Sequence, residues 1–239
     1  MLAGVRMVAF IVIAPPFSYN AFPLRIKAML SIGLALAVSP RVTAGYQISD
    51  TAGFFAALVL EVVVGASLGF LVYVVFSAIQ SAGSLIDLFG GFQMSQAFDP
   101  QGMINGAQFT RLFQMTALAL LFASDGYQLV LGGLTRSFTA IPVGAGIDLA
   151  APVQAMMQAT TQMFLAAVQI AGPLLVVLFL ADVGLGLLTR VAPALNAFSL
   201  GFPVKIFLTL ALGGMVFAAL PRVVTALTDQ AVSTMMGVR

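Results

Sequence analysis

The chain is read as an all-α, integral membrane-type protein of helical hairpins, and three observations lead there. Hydrophobic residues make up 61% of its 239 positions and charged residues only 8%, with a mean hydropathy of +1.08, a balance that belongs to membrane proteins. The apolar residues gather into about six segments, near 7–19, 28–39, 52–79, 112–134, 153–181 and 206–220. Proline and glycine fall mainly between those segments, where a missing N–H is tolerated.

The segments are uneven. A bilayer crossing takes ~17–25 apolar residues. The run at 52–79 is longer than that, 28–39 is too short, 112–134 is interrupted by Ser124, Asp125 and Gly126, and 206–220 is marginal. If six spans alternated sides, Arg25, Lys27, Arg111, Arg190 and Lys205 would face Arg6, Arg41, Arg136, Arg222 and Arg239. Five against five gives no orientation by the positive-inside rule. Either a boundary is misdrawn, or some segments are buried in a multi-subunit assembly and do not span the bilayer.

The start, MLAGVRMVAFIVIAPPFSYN, has the basic and apolar parts of a signal peptide without a small-x-small cleavage site, and is read as a retained helix. Pro15-Pro16, Pro23, Pro40, Pro142, Pro152, Pro193, Pro203 and Pro221 are placed at or near helix ends; Pro173 is the interior exception, with a kink expected. Phe22-Pro23-Leu24-Arg25 and Phe202-Pro203-Val204-Lys205 each precede a short apolar run, a faint repeat that routine proline-bounded helices also produce.

Composition excludes several chemistries. The chain has no Cys and no His, which removes disulfides, thiol nucleophiles, sulfur-ligated metals and the commonest general base. Ten scattered basic residues form no stripe for nucleic acid. No GxxxxGK[ST] nucleotide loop occurs. No catalysis, cofactor or metal is expected. A Ser-Lys hydrolase would have to use Lys27 or Lys205, the only lysines.

Polar residues within the apolar runs are the candidates for function. Glu61, Gly65 and Gly69 share a helix face. Glycines at that spacing admit another backbone closely, and a mid-helix carboxylate must face protein or water. Glu61 is therefore either a proton or ion site or a buried hydrogen-bonding post, the latter preferred. Asp182, Gly186 and Arg190 repeat the spacing and suit a helix end packed on a neighbouring chain, with Arg25 or Lys205 as conceivable partners for the acid. Asp87 is grouped with these packing or buried polar positions. Gln154, Gln158, Gln162 and Gln169 form a neutral stripe, read as packing before pore.

One stretch stands apart. FGGFQMSQAFDPQGMINGAQ, from Phe89 to Gln108, combines glutamines and glycines with Phe and Met residues. Asp99-Pro100 breaks the chain within it, because the residue before proline avoids the helical region. A disordered connector would carry more charge and fewer large apolar side chains. The loop at about 90–110 is read as an ordered or semi-ordered element that fits inside a cavity and moves.

The ordered set Arg6, APPF (Ala14–Phe17), FPLR (Phe22–Arg25), EVVVGASLG (Glu61–Gly69), AGSLIDLFGG (Ala82–Gly91), Asp99-Pro100, DGYQLVL (Asp125–Leu131), Ser137, Pro142, DVGLGLLTRVAP (Asp182–Pro193) and GFPVK (Gly201–Lys205) covers nearly the whole chain. It resembles the FliR/SctT family of type III secretion export-gate proteins. That resemblance implies one export-gate domain over residues 1–239, in the bacterial inner membrane at the flagellar basal body. It also implies assembly with FliP and FliQ into a closed entry gate, with FlhB around it and FlhA beneath, in contact with lipid and with unfolded flagellar substrates. Much of such a gate lies above the membrane plane, which would account for the uneven segments. The loop would be the plug. Gly90, Gly91, Gly102 and Gly106 would supply mobility, and Phe92, Met94, Phe98, Asp99, Pro100, Met103 and Ile104 would fill out a deformable seal, since methionine repacks readily. Tyr127 stands where the family often has His, so proton sensing is not expected there. The chain also begins closer to its first Arg than the family does, which points to a truncated or misassigned start. The rival readings are an injectisome gate subunit of the same family, or a proton-coupled transporter using Glu61 and Asp182.

Overall fold

A computed structural model describes residues 1–19, 22–42, 50–93, 107–144, 150–192 and 197–235. These residues form seven helices and no strand: α1 (Leu2–Ile13), α2 (Leu24–Val42), α3 (Thr51–Phe89), α4 (Gln108–Ala123), α5 (Gly126–Ala140), α6 (Ala150–Val191) and α7 (Ala197–Met235). The fold is all-α.

The helices are fewer as spans and longer than the apolar segments that mark them. Among the described residues, α3, α6 and α7 alone are long and apolar enough to cross a membrane, or four spans are present if α4 and α5, bent by 75° at their break, count as one. Fewer helices meet this length test than there are apolar segments, in keeping with the reading that some of the six do not cross the bilayer. The long helices have 39, 42 and 39 residues, each roughly 60 Å at ~1.5 Å per residue, about twice a hydrocarbon core of ~30 Å.

Local chemistry explains several ends. The Asp50 carboxylate accepts the Gly53 amide at 2.8 Å and caps the start of α3. Between α4 and α5, Asp125 adopts a left-handed φ of 55°, which a short polar side chain tolerates, and Gln128 donates to its carboxylate at 3.1 Å. Other ends depart from the proline reading. Pro203 and Pro221 lie inside α7, and α6 runs on through Pro173, whereas Pro40 stands in the last turn of α2, near a helix end as read. FPLR opens α2 whereas FPVK sits within α7, so the two halves of the faint repeat occupy different structural positions.

The chain divides into two compact units: Met1–Phe76, Leu121–Thr161 and Thr225–Arg239 form the first, and Ser77–Leu120 and Gln162–Val224 the second. In the first, Met7, Phe10 and Ile11 of α1, Val64 and Leu68 of α3, and Val130 and Leu134 of α5 are buried. The α1–α3 contact is close because Gly65 and Gly69 face it. A methyl on Gly65 would collide with the Arg6 carbonyl oxygen and lie 2.9 Å from the Ala9 Cβ; one on Gly69 would lie 3.0 Å from the Phe10 carbonyl. Gly65→Ala is therefore expected to lower stability by about 1–3 kcal/mol through overpacking, seen as a fall in thermal midpoint, while Gly132→Ala, with open space around it, is expected to leave the midpoint unchanged or raised.

In the second unit the buried stripes follow helical periodicity: Ala167, Ala171, Leu174 and Leu178 on α6, and Thr209, Val216 and Leu220 on α7. The opposite faces of both helices are exposed and largely apolar, for example Phe164, Phe179 and Leu187 on α6 and Phe207 and Met215 on α7. The glutamines Gln154, Gln158, Gln162 and Gln169 also lie on exposed positions.

Candidate functional site

Two polar constellations and one aromatic cluster hold several of the side chains singled out above. In the first unit, Arg6 is completely buried and Glu61 nearly so. Arg6 Nε donates to Glu61 Oε2 at 2.6 Å and Nη2 to Oε1 at 3.0 Å, a bidentate pair between α1 and α3. Nη1 reaches Ser137 Oγ at 3.3 Å, and Nη2 also donates to the Ile141 carbonyl at 3.0 Å. The guanidinium lies 4.1 Å from the centre of the Phe138 ring. One arginine thus binds α1 to α3 and to the end of α5, where a cation also meets the negative end of the helix. Arg6 was legible only as part of a motif. The missed signal was a lone cation in the apolar helix α1 and a lone anion in the apolar run at 52–79.

In the second unit the segment after α3 is closed at its base. Gly90 N–H bonds to the Ile86 carbonyl at 2.8 Å and Phe92 N–H to the Asp87 carbonyl at 3.0 Å, with Gly91 between them at φ 83°. This is a Schellman-type helix end, and the positive φ there favours glycine. The same Asp87 opens the next helix. Its carboxylate, fully buried, accepts the Phe109 N–H at 2.9 Å, the Thr110 N–H at 2.8 Å and the Thr110 hydroxyl at 2.7 Å. The residue before α4 is Ala107, which has no side-chain acceptor, so the cap comes from 22 positions upstream of Phe109. Gly83 makes this approach feasible: a methyl there would lie 2.7 Å from the Thr110 Cα.

An aromatic series covers the clamp. Phe92 meets Phe109 edge-on with centroids 5.2 Å apart, Phe109 neighbours Phe113 at 6.3 Å, and Phe113 meets Phe217 at 6.0 Å. Gly213 leaves room for the Phe109 ring, 3.3 Å from where its Cβ would stand. The stretch that starts at Phe89 ends where α4 begins, at Gln108. Of its proposed plug residues, Gly90, Gly91 and Phe92 belong to the clamped base. Met94, Phe98, Asp99, Pro100, Gly102, Met103 and Ile104 lie outside the described residues, as does Gly106.

The remaining candidates are on the α6–α7 side of the same unit. Lys205 Nζ lies 2.6 Å from Asp182 Oδ1. Gly186 and Arg190 are exposed, with open space around Gly186. Lys27, in the first unit, donates to the Ser18 carbonyl at 2.9 Å. No group of three or more His, Cys, Asp or Glu side chains able to hold a metal is present among the described residues.

The family model described as "Bacterial export proteins, family 1" matches residues 1–231. The chain belongs to that family. This family 1 export protein is 31% identical to the flagellar biosynthetic protein FliR of Escherichia coli (strain K12) over 217 residues, 90% of the chain and 81% of that relative. It is 30% identical to FliR of Pectobacterium carotovorum subsp. carotovorum over 218 residues, 91% of the chain and 83% of the relative. It is also 29% identical to the Yop proteins translocation protein T of Yersinia pestis over 205 residues, 84% of the chain and 78% of the relative.

Proposed function

We propose that the chain is a core subunit of the flagellar type III protein export gate, and that it forms and plugs the channel through which unfolded flagellar proteins leave the cell. The observation that carries this reading is membership of the export family over residues 1–231, joined to 30–31% identity with FliR proteins across about nine-tenths of the chain. On this reading it resides in the inner membrane at the basal body, assembles with FliP and FliQ beside FlhB and FlhA, and performs no catalysis. The apolar outer faces of α6 and α7 then meet partner subunits or lipid.

The clamped base supports the plug reading of the loop at about 90–110. A plug must leave the lumen without dismantling the helices that carry it. Asp87, Gly83 and the Phe92–Phe109 contact fix the two stems to each other, and on this reading they keep α3 and α4 packed when the channel opens. The same contact defines the test. Because the Phe92 and Phe109 rings are 5.2 Å apart at their centroids, a short Gly-Ser linker can replace residues 94–106 without touching the clamp. Cells carrying this deletion are expected to assemble the gate and to leak ions. Tight membranes with normal export would remove the plug assignment.

A second reading, an injectisome gate subunit, is favoured by the identity to the Yersinia translocation protein; complementation of a flagellar strain against an injectisome strain separates the two. A transporter using Glu61 and Asp182 finds less support, since Arg6 engages both Glu61 oxygens and Lys205 pairs with Asp182.

A further inference from the structure

The C-terminal end of α3 rests on the first turns of α7, where a proline removes one backbone hydrogen bond. A methyl on Gly91 would stand 3.0 Å from the Phe202 ring and one on Gly90 2.8 Å from Thr209 Oγ1, so both glycines lie directly against α7. Thr209 is fully buried, and its hydroxyl donates to the Lys205 carbonyl at 2.8 Å. Pro203, between Phe202 and Lys205, contributes no N–H to the preceding turn. Two contacts tie these turns to α6 instead: Leu185 packs 3.6 Å from the Cβ position of Gly201, and Lys205 reaches Asp182 at 2.6 Å.

We propose that Asp182 and Lys205 form a positioning latch, which holds the Phe202–Thr209 turns of α7 in place as the seat for Gly90 and Gly91. The pair sits beside the one backbone hydrogen bond that Pro203 leaves unmade, and the residue that carries the cation also supplies the carbonyl that fixes the Thr209 hydroxyl. Releasing the pair frees the turns around Pro203 to move off the α3 end. That the seat then bears on passage through a channel rests on the export-gate reading. The latch itself does not.

A thiol reports on the seat directly, because the chain has no cysteine. Thr209→Cys is placed in the full chain, expressed in the membranes of its own host, and its reaction with a maleimide is timed. The thiol is expected to be protected in the otherwise unaltered protein. Adding Asp182→Asn is expected to raise the labelling rate by about five-fold, the factor given by ~1 kcal/mol for a partly exposed ion pair. The charge exchange Asp182→Lys with Lys205→Asp is expected to return the rate toward its starting value. Leu220→Cys, equally buried on α7 but away from the pair, serves as the control and is expected to stay protected throughout. An unchanged rate at position 209 overturns the latch, as does a thiol there that reacts freely with the pair intact. A rise at both positions also overturns it, since the loss would then be general unfolding. None of these readings uses export or ion leakage, so failure of the gate assignment leaves the result interpretable.

Discussion

Arg6→Met and Glu61→Leu, made singly, are each expected to destabilise the protein by about 3–5 kcal/mol, whereas the two together cost about 1–3 kcal/mol. The asymmetry follows from burial. Arg6 is fully buried and Glu61 2% exposed, so either change alone strands a charge in an apolar interior without its counter-ion. Removing both leaves no stranded charge. What remains is the Ile141 carbonyl without its donor, because the Ser137 hydroxyl already donates to the Leu134 carbonyl at 2.7 Å. Thermal or denaturant unfolding of the purified protein carrying each variant measures the three values. Losses that add in the double variant would refute the ion pair as the linking element. Export separates structure from chemistry here: a structural post predicts that the double variant still exports once assembled, and a proton-coupling acid predicts that it does not.

The pair also marks how far the sequence could be read. That Glu61 needed protein or water around it follows from one helix alone, since a carboxylate in an apolar run has no other refuge. That its partner is Arg6, 55 positions away, depends on which helix packs on the Gly65–Gly69 face. No periodicity within a single segment carries that information. The all-α class and the break at Ser124-Asp125-Gly126 were legible for the opposite reason, because composition and local backbone preference determine them. Proline misled at Pro203 and Pro221. An interior proline costs a helix about 3 kcal/mol, but the buried stripe of Thr209, Val216, Leu220 and Val224 runs on either side of Pro221 and repays the continued helix through packing. The ordered motifs from Arg6 to Lys205 carried the family, and membership over residues 1–231 agrees. The clamp around Asp87 was not legible. Capping is ordinarily sought beside the helix it serves, and Ala107 offers none, while the true cap stands at the end of the previous helix.

That non-local cap gives the second large effect. Asp87→Ala withdraws the acceptor from two backbone amides and one hydroxyl at the start of α4, and is expected to cost roughly 3–5 kcal/mol, since hydrogen bonds to a buried charged group are worth ~1.5–3 kcal/mol each and do not add fully. Asp87→Asn keeps one carbonyl oxygen and is expected to cost about half as much. Gly83→Ala attacks the same contact from the other side, by pressing a methyl to 2.7 Å from the Thr110 Cα. Because both changes unseat one element, combining Asp87→Ala with Gly83→Ala is expected to cost clearly less than their sum. Amide exchange read on the peptide spanning residues 107–113 localises the effect: Phe109 and Thr110 lose protection first, while the α6 stripe from Ala167 to Leu178 keeps its own. Unchanged exchange at those two amides would mean that the carboxylate does not hold the helix. On the export-gate reading the consequence reaches further than stability, because Asp87 closes α3 through its backbone and opens α4 through its side chain. A plug whose two stems share one residue as their anchor should fail as a seal when that anchor goes, even with every plug residue intact. Ion leakage in assembled gates carrying Asp87→Asn, with residues 94–106 unaltered, is the outcome that would tie the clamp to the closed channel.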